Sequence, residues 1–348
     1  MRASLRSMSD PSKNQNEKDK RTGDAARTAV SPLSSSRGGS SKGESPVGTR
    51  LAAIDVGSNA IRLVIGEVEA SGEIRILKKV REGVRLGKDT FSEGTISKKS
   101  IERTLETFEK FKNLIEDQNV KHVRAVATSA MREASNSKAI VLEVAKLTGL
   151  KIEVIDGLEE GKLIFSAVAG RVDLSESRSV LIDIGGGSVE ITMAEGHTIK
   201  ATQSFPLGTV RLLEALQSRG LKEKHLPTII EEHFRPVRTF LKDQLKGRPV
   251  DFAIGTGGNF ECLGKLRVAL LSKTSIYSMT FEELTELTEH LAGMTVKERI
   301  QFLRLKNDRA DVVVPAALVT LAIMESVPTD TLNVPFVGLR DGILSSLM

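Results

Sequence analysis

Short apolar runs punctuated by small residues recur along the chain, and they alternate with longer stretches whose apolar positions follow a helical period. The stretch "LAAIDVGSNAIRLVIGEVE" (51–69) reads as a buried strand ending near Asp55, a turn of Gly57, Ser58 and Asn59, and a second apolar strand through Ile65. "VLIDIGGGSVE" (180–190) repeats the plan. Val180 to Ile182 form the run, Asp183 follows it, three glycines and Ser188 make the turn, and Ile191 to Met193 continue beyond Glu190. Further strands are expected at 74–80, 123–127 and 152–155. Between them Ile101, Leu105, Phe108, Phe111, Leu114 and Ile115 share one face of a helix over 98–118, with Ser97 and Ser100 as candidate caps. A second helix is expected over 138–147. Glu159 and Glu160 open another that connects two halves, and the second half continues with a strand ending at Ser204 and helices from Thr209 and Thr228. A duplicated strand–turn–strand unit within an α/β pattern implies two similar half-molecules facing each other across a cleft.

The turns carry the candidate chemistry. A run of glycines leaves backbone N–H groups free of Cβ atoms and able to point together into an anion-holding concavity. One such turn alone is as well explained as a plain β-turn, but here the plan recurs. A third cluster, "FAIGTGGNFECLG", places a short strand at 252–254 and then Gly255, Gly257 and Gly258 at the start of a helix, whose N-terminus favours negative charge. Thr128, Ser129, Arg132 and Asn136 follow the C-terminal end of the strand at 123–127, where ligands of α/β folds collect. "GLEEGKL" is not a nucleotide P-loop: it has one residue too few between its glycines, and Leu163 stands where a magnesium-binding serine or threonine belongs.

Charge changes the picture little. The pI of 9.2 suggests a nucleic-acid partner. Yet residues 1–48 hold nine Lys/Arg and five Asp/Glu, which accounts for +4 of the net +5 and leaves the remainder nearly neutral. That segment is rich in Ser, Gly and Asn with few large apolar residues, so it is expected to be an unstructured tail. Nucleic acid and membrane are not expected partners. The single cysteine, Cys262, excludes an internal disulfide framework and reads as a buried thiol. The five histidines show no metal spacing.

In order, "AAIDVGSNAIRL", "ATSAMREASN", "GLEEGKL", "LIDIGGGSVE", "SFPLGTVRL", "GTGGN", "RADVVVP" and "GLRDG" resemble the exopolyphosphatase and guanosine pentaphosphate phosphohydrolase (Ppx/GppA) family over about residues 51–348. Ala60 stands where that family usually has serine, and Asn259 where it usually has threonine. The resemblance implies a two-lobed actin/hexokinase-like (ASKHA) fold with duplicated ribonuclease-H-like domains. The expected bounds are 49–163 for the first lobe and 164–348 for the second, with the last helix, about 336–348, returning to the first. It also implies Glu160 as the base that activates water, and Mg2+, with Mn2+ as a substitute, held by Asp55, Asp183 and Glu190. Ser58, Asn59, Arg62, Arg132, Gly186, Gly187, Ser188, Gly257 and Gly258 are the expected substrate contacts, with Arg62 and Arg211 as open to pairing with a carboxylate as with substrate. Asp308, Arg309 and Asp311, and Arg340 with Asp341, are expected in structural ion pairs. The implied activity is hydrolysis of the terminal phosphate of inorganic polyphosphate, with guanosine pentaphosphate (pppGpp) as the alternative substrate, in a cytoplasmic homodimer. A sugar or acetate kinase would need an acceptor pocket. A catalytically silent phosphate sensor is the reading of another class, and the presence of Asp55, Glu160 and Glu190 together counts against it.

Overall fold

Both Asp-led stretches fold as antiparallel hairpins at the centre of a sheet, in a computed structural model that describes residues 46–348. The expectation of an unstructured tail falls mostly on residues 1–45, outside the described residues; Gly48, at its end, already donates to the carbonyl of Val68 at 2.8 Å. In the first sheet β1 (Arg50–Val56) pairs antiparallel with β2 (Ile61–Val68), which pairs with β3 (Ile74–Glu82); β4 (His122–Ala127) lies parallel to β1, and β5 (Ile152–Val154) parallel to β4. The order is β3-β2-β1-β4-β5. In the second sheet β6 (Arg178–Ile184), β7 (Val189–Glu195) and β8 (Thr198–Phe205) form the antiparallel part, and β9 (Phe252–Thr256) runs parallel to β6. Two strands of three residues, β10 (Ser278–Thr280) and β11 (Thr331–Asn333), complete the order β10-β11-β9-β6-β7-β8. From β8 to β11 it repeats the first sheet strand for strand. This duplicated topology is the two-lobed ASKHA fold.

Burial on both faces explains why the sequence of β1 is apolar at nearly every position. Ala52, Ile54 and Val56 pack with Phe108, Phe111 and Ile115 of the helix Lys98–Asp117. Leu51 and Ala53 face the other way, towards Leu163, Ile164, Ile343 and Leu344. Ser97 caps the long helix by accepting from the Ser100 N–H at 3.3 Å. The helix Gly157–Ala169 serves both lobes, because Leu163 and Ile164 join the first lobe's core while Phe165 and Val168 pack with Leu181, Ala194 and Ile254 of the second. The final helix, Leu339–Ser345, packs Leu339, Ile343 and Leu344 against the first sheet.

The helix Leu86–Glu93 and the strands β10 and β11 carry no sequence signal strong enough to predict them. The Cys262 thiol is half-buried rather than buried, and desolvation raises its pKa, so it is a poor nucleophile.

Candidate active site

The two hairpin turns are closed by the same hydrogen bond, Gly57 N–H to Ala60 carbonyl at 3.1 Å and Gly185 N–H to Ser188 carbonyl at 2.9 Å. The N–H groups of Ser58, Asn59, Gly186 and Gly187 have no backbone acceptor among the described residues. The turns meet tip to tip. A Cβ on Gly186 would stand 3.0 Å from Ser58 Cβ and 3.2 Å from the Asn59 nitrogen, so a bare backbone is what lets the two rows of donors approach. The third loop joins them at the end of β9, where Thr256 donates to Asp183 Oδ1 at 2.7 Å.

Eleven of the thirteen expected site residues line one cleft: Asp55, Ser58, Asn59, Arg62, Glu160, Asp183, Gly186, Gly187, Ser188, Gly257 and Gly258. Two do not. Arg132 turns away from it, donating to the Ile155 carbonyl at 2.8 Å and standing 3.6 Å from Glu160 Oε2; it supports the glutamate instead of lining the cleft. Glu190 lies behind the cleft, 2% exposed, with one carboxylate oxygen accepting from Ser204 Oγ at 2.7 Å. Arg62 both lines the cleft and pairs with Asp55 at 2.7 Å. Arg211 is held by Glu133 and the Gly187 carbonyl.

Sequence reasoning undervalued two arginines. Asp308 and Asp311 do form ion pairs, with Arg81 and Arg85, and Arg340 pairs with Glu261 at 2.7 Å and with Asp341 at 3.6 Å. But Arg309 is in no ion pair among the described residues, and both Arg309 and Arg340 line the cleft, as do Thr128, Ser129 and Thr209. Their place in the "RADVVVP" and "GLRDG" motifs was the available signal. No spacing in the sequence shows that those motifs return to the hairpins.

The Ppx/GppA phosphatase family matches residues 64–348. The chain belongs to that family. Exopolyphosphatase 2 of Mycobacterium tuberculosis is 33% identical over 320 residues, covering 86% of this chain and 98% of that protein. A guanosine-5'-triphosphate,3'-diphosphate pyrophosphatase of Vibrio vulnificus is 27% identical over 313 residues, covering 89% of this chain and 61% of that one. The crystal structure of an exopolyphosphatase from Cytophaga hutchinsonii superposes with a TM-score of 0.77 at 27% identity, covering 86% and 97% of the two chains.

A Ppx/GppA phosphatase is a hydrolase of phosphoanhydride bonds, and the electrostatics of this cleft suit one. Glu160 stands in the first turn of its helix, whose N-cap Asp156 accepts from the Glu159 N–H at 2.8 Å. Burial, followed by repulsion from Glu190 and Asp183, holds the Glu160 carboxyl well above the usual carboxylate range, and Arg132 offsets this in part. Burial and the Glu190 charge push Asp183 up to about 7. Burial also raises Glu190. One oxygen of Glu160 and one of Glu190 are buried with no hydrogen-bond partner. Acids whose carboxyls are held above their ordinary values in and behind one cleft are poised to take up a proton or a cation.

Gly257 has φ +79°, and a Cβ there would lie 2.6 Å from Asp183 Oδ1. Gly257→Ala is expected to lose about 1–2 kcal/mol from the left-handed backbone alone, and more from displacing the aspartate. A denaturant melt measures it. Stability equal to the wild type would show that the loop relaxes freely.

Proposed function

We propose that this chain is an exopolyphosphatase, removing the terminal phosphate of inorganic polyphosphate by attack of water. The observation that carries the reading is a cleft lined by two turns whose N–H groups have no backbone acceptor among the described residues and by Arg309 and Arg340, with a buried carboxylate of raised basicity at its side. Such donors match the oxygens of a phosphate chain. Glu160 takes a proton from water as its oxygen bonds to the terminal phosphorus; the anhydride P–O bond breaks, and the bridging oxygen leaves with the shortened chain. Arg132 and the helix N-terminus orient the glutamate.

Mg2+, with Mn2+ as a substitute, fits the donor set. Among the described residues no group of three or more His, Cys, Asp or Glu forms a ready metal cage. Mg2+ needs no such cage, since it commonly uses one or two carboxylates together with substrate phosphate and water. Asp183 and Asp55 face the cleft, and Glu190 behind them has an unpartnered buried oxygen. Bound there, the ion would offset negative charge on the phosphoryl oxygens.

Polyphosphate is preferred to guanosine pentaphosphate because, among the described residues, Ile184 and Leu339 are the only large apolar side chains lining the cleft, and the ring of Phe91 beside Gly187 is already covered by the Arg211 guanidinium at 4.0 Å. Phosphate release from the two substrates, compared side by side with the full-length chain, tests this. A kcat/KM at least about tenfold higher for polyphosphate is expected, a difference of one tenfold step in transition-state binding. Loss of activity in chelator and its return with Mg2+ are expected too. Preference for guanosine pentaphosphate would reverse the assignment. The reading carries with it a cytoplasmic homodimer; light scattering and fractionation test it.

A further inference from the structure

Along the wall of the cleft a chain of hydrogen bonds runs from one hairpin to the other. Asn59, in the first turn, donates from Nδ2 to the carbonyl of Asp308 at 2.7 Å. The next residue, Arg309, donates from Nη1 to Oδ1 of Asn259. Asn259 donates in turn from Nδ2 to the carbonyl of Ile184 at 2.6 Å, immediately before the second turn. The carboxylates on either side of Arg309 are engaged elsewhere, Asp308 by Arg81 and Asp311 by Arg85 at 2.6 Å. Among the described residues Arg309 is therefore left without a counter-charge of its own, and its one side-chain partner is the Asn259 amide.

Asparagine is well matched to this place. Its side chain is the short planar group with an acceptor on one arm and a donor on the other, so it can hold a guanidinium and a carbonyl at once. Asn259 is 8% exposed, at the start of the helix Gly257–Leu271, so neither bond is readily replaced by water.

We infer that Asn259 is a positioning residue: it aims the uncompensated Arg309 guanidinium into the cleft and fixes the segment carrying Arg309 to the second phosphate hairpin. Substrate binding depends on it more than the proton transfer at Glu160. This rests on the reading of the cleft as a polyphosphate site.

The test uses Asn259→Ala, Asn259→Thr, Arg309→Ala and the Asn259→Ala/Arg309→Ala double variant of the full chain, assayed for polyphosphate hydrolysis with Mg2+. Binding is read separately, as the rise in melting temperature given by inorganic tripolyphosphate. Asn259→Ala is expected to raise KM about tenfold, as loss of one well-aimed charge-assisted contact would, with kcat within about threefold and a smaller tripolyphosphate shift. The double variant should be no worse than Arg309→Ala alone, since both changes remove one interaction. If Asn259→Ala fails to fold, Asn259→Thr, which keeps a hydroxyl but not the two-armed amide, should raise KM in the same direction. An unchanged KM in folded Asn259 variants, a fall confined to kcat, or additive losses in the double variant would overturn the inference while hydrolysis by the wild type stood. A wild type that neither hydrolyses polyphosphate nor is stabilised by tripolyphosphate would overturn the functional reading and this inference with it.

Discussion

Glu160→Gln is expected to lower kcat for phosphate release by about 10² to 10⁴-fold while KM changes little. The amide keeps the shape of the side chain, and the residue is 5% exposed, its Oε2 accepting no hydrogen bond and standing 3.6 Å from Arg132, so the change removes that ion pair but little packing. What it loses is the ability to take a proton. Because burial and the neighbouring Glu190 and Asp183 charges raise the Glu160 pKa, the wild type should lose activity on the acid side as the carboxylate is protonated, and the residual rate of the Glu160→Gln variant should lack that limb. A pH–rate profile of both proteins checks it. Retention of more than half the activity would remove Glu160 from the mechanism.

Asp183→Asn is expected to move activity and stability in opposite directions. Asp183 is half-buried beside Glu190 and Asp55, and its pKa is pushed up to about 7 from an ordinary 3.8. A carboxyl with a raised folded-state pKa binds its proton more tightly folded than unfolded. Its contribution to stability is therefore fully present below the ordinary value and is lost as pH rises through about 7. Metal-free wild type should melt at progressively lower temperature as pH rises from the ordinary 3.8 to about 7 and level off above it. The asparagine keeps an oxygen for the Thr256 hydroxyl and carries no charge to bury, so the variant should melt above the wild type at about pH 8, with the gap narrowing below about 7 and closing towards the ordinary 3.8. Phosphate release should fall by about 10²-fold or more, as for loss of a group that offsets charge in the transition state. Differential scanning calorimetry across pH measures the first effect. A variant less stable than the wild type at the alkaline end would mean that the aspartate is favourably paired as an anion, and that its proposed position among like charges is wrong.

Much of the architecture was legible in local patterns of the chain. The apolar runs of β1 and β6, the helical face of Ile101 to Ile115 and the recurrence of an aspartate before each small-residue turn are local patterns, and local patterns report the side chains' own burial. They placed Asp55, Asp183 and the glycine turns at the hairpin ends that line the cleft, and Glu160 at the start of a helix beside them. Tertiary structure decided the partners. The register of β1 with β2 sets Asp55 opposite Arg62, whereas that of β6 with β7 sets Asp183 opposite Glu190, so equivalent hairpins carry an ion pair in one lobe and a like-charge pair in the other. Arg132 met Glu160 instead of the cleft because the Ile155 carbonyl lies within its reach. Arg309 follows Asp308, which lies 249 residues beyond its partner Asn59, and it came to the cleft only through the packing of the two lobes. β10 and β11, three residues each, exist because neighbouring strands offer them an edge. A chain's period shows which side of a residue is buried, but what it is buried against is set by contacts distant in sequence, and the chemistry of this cleft is made of those.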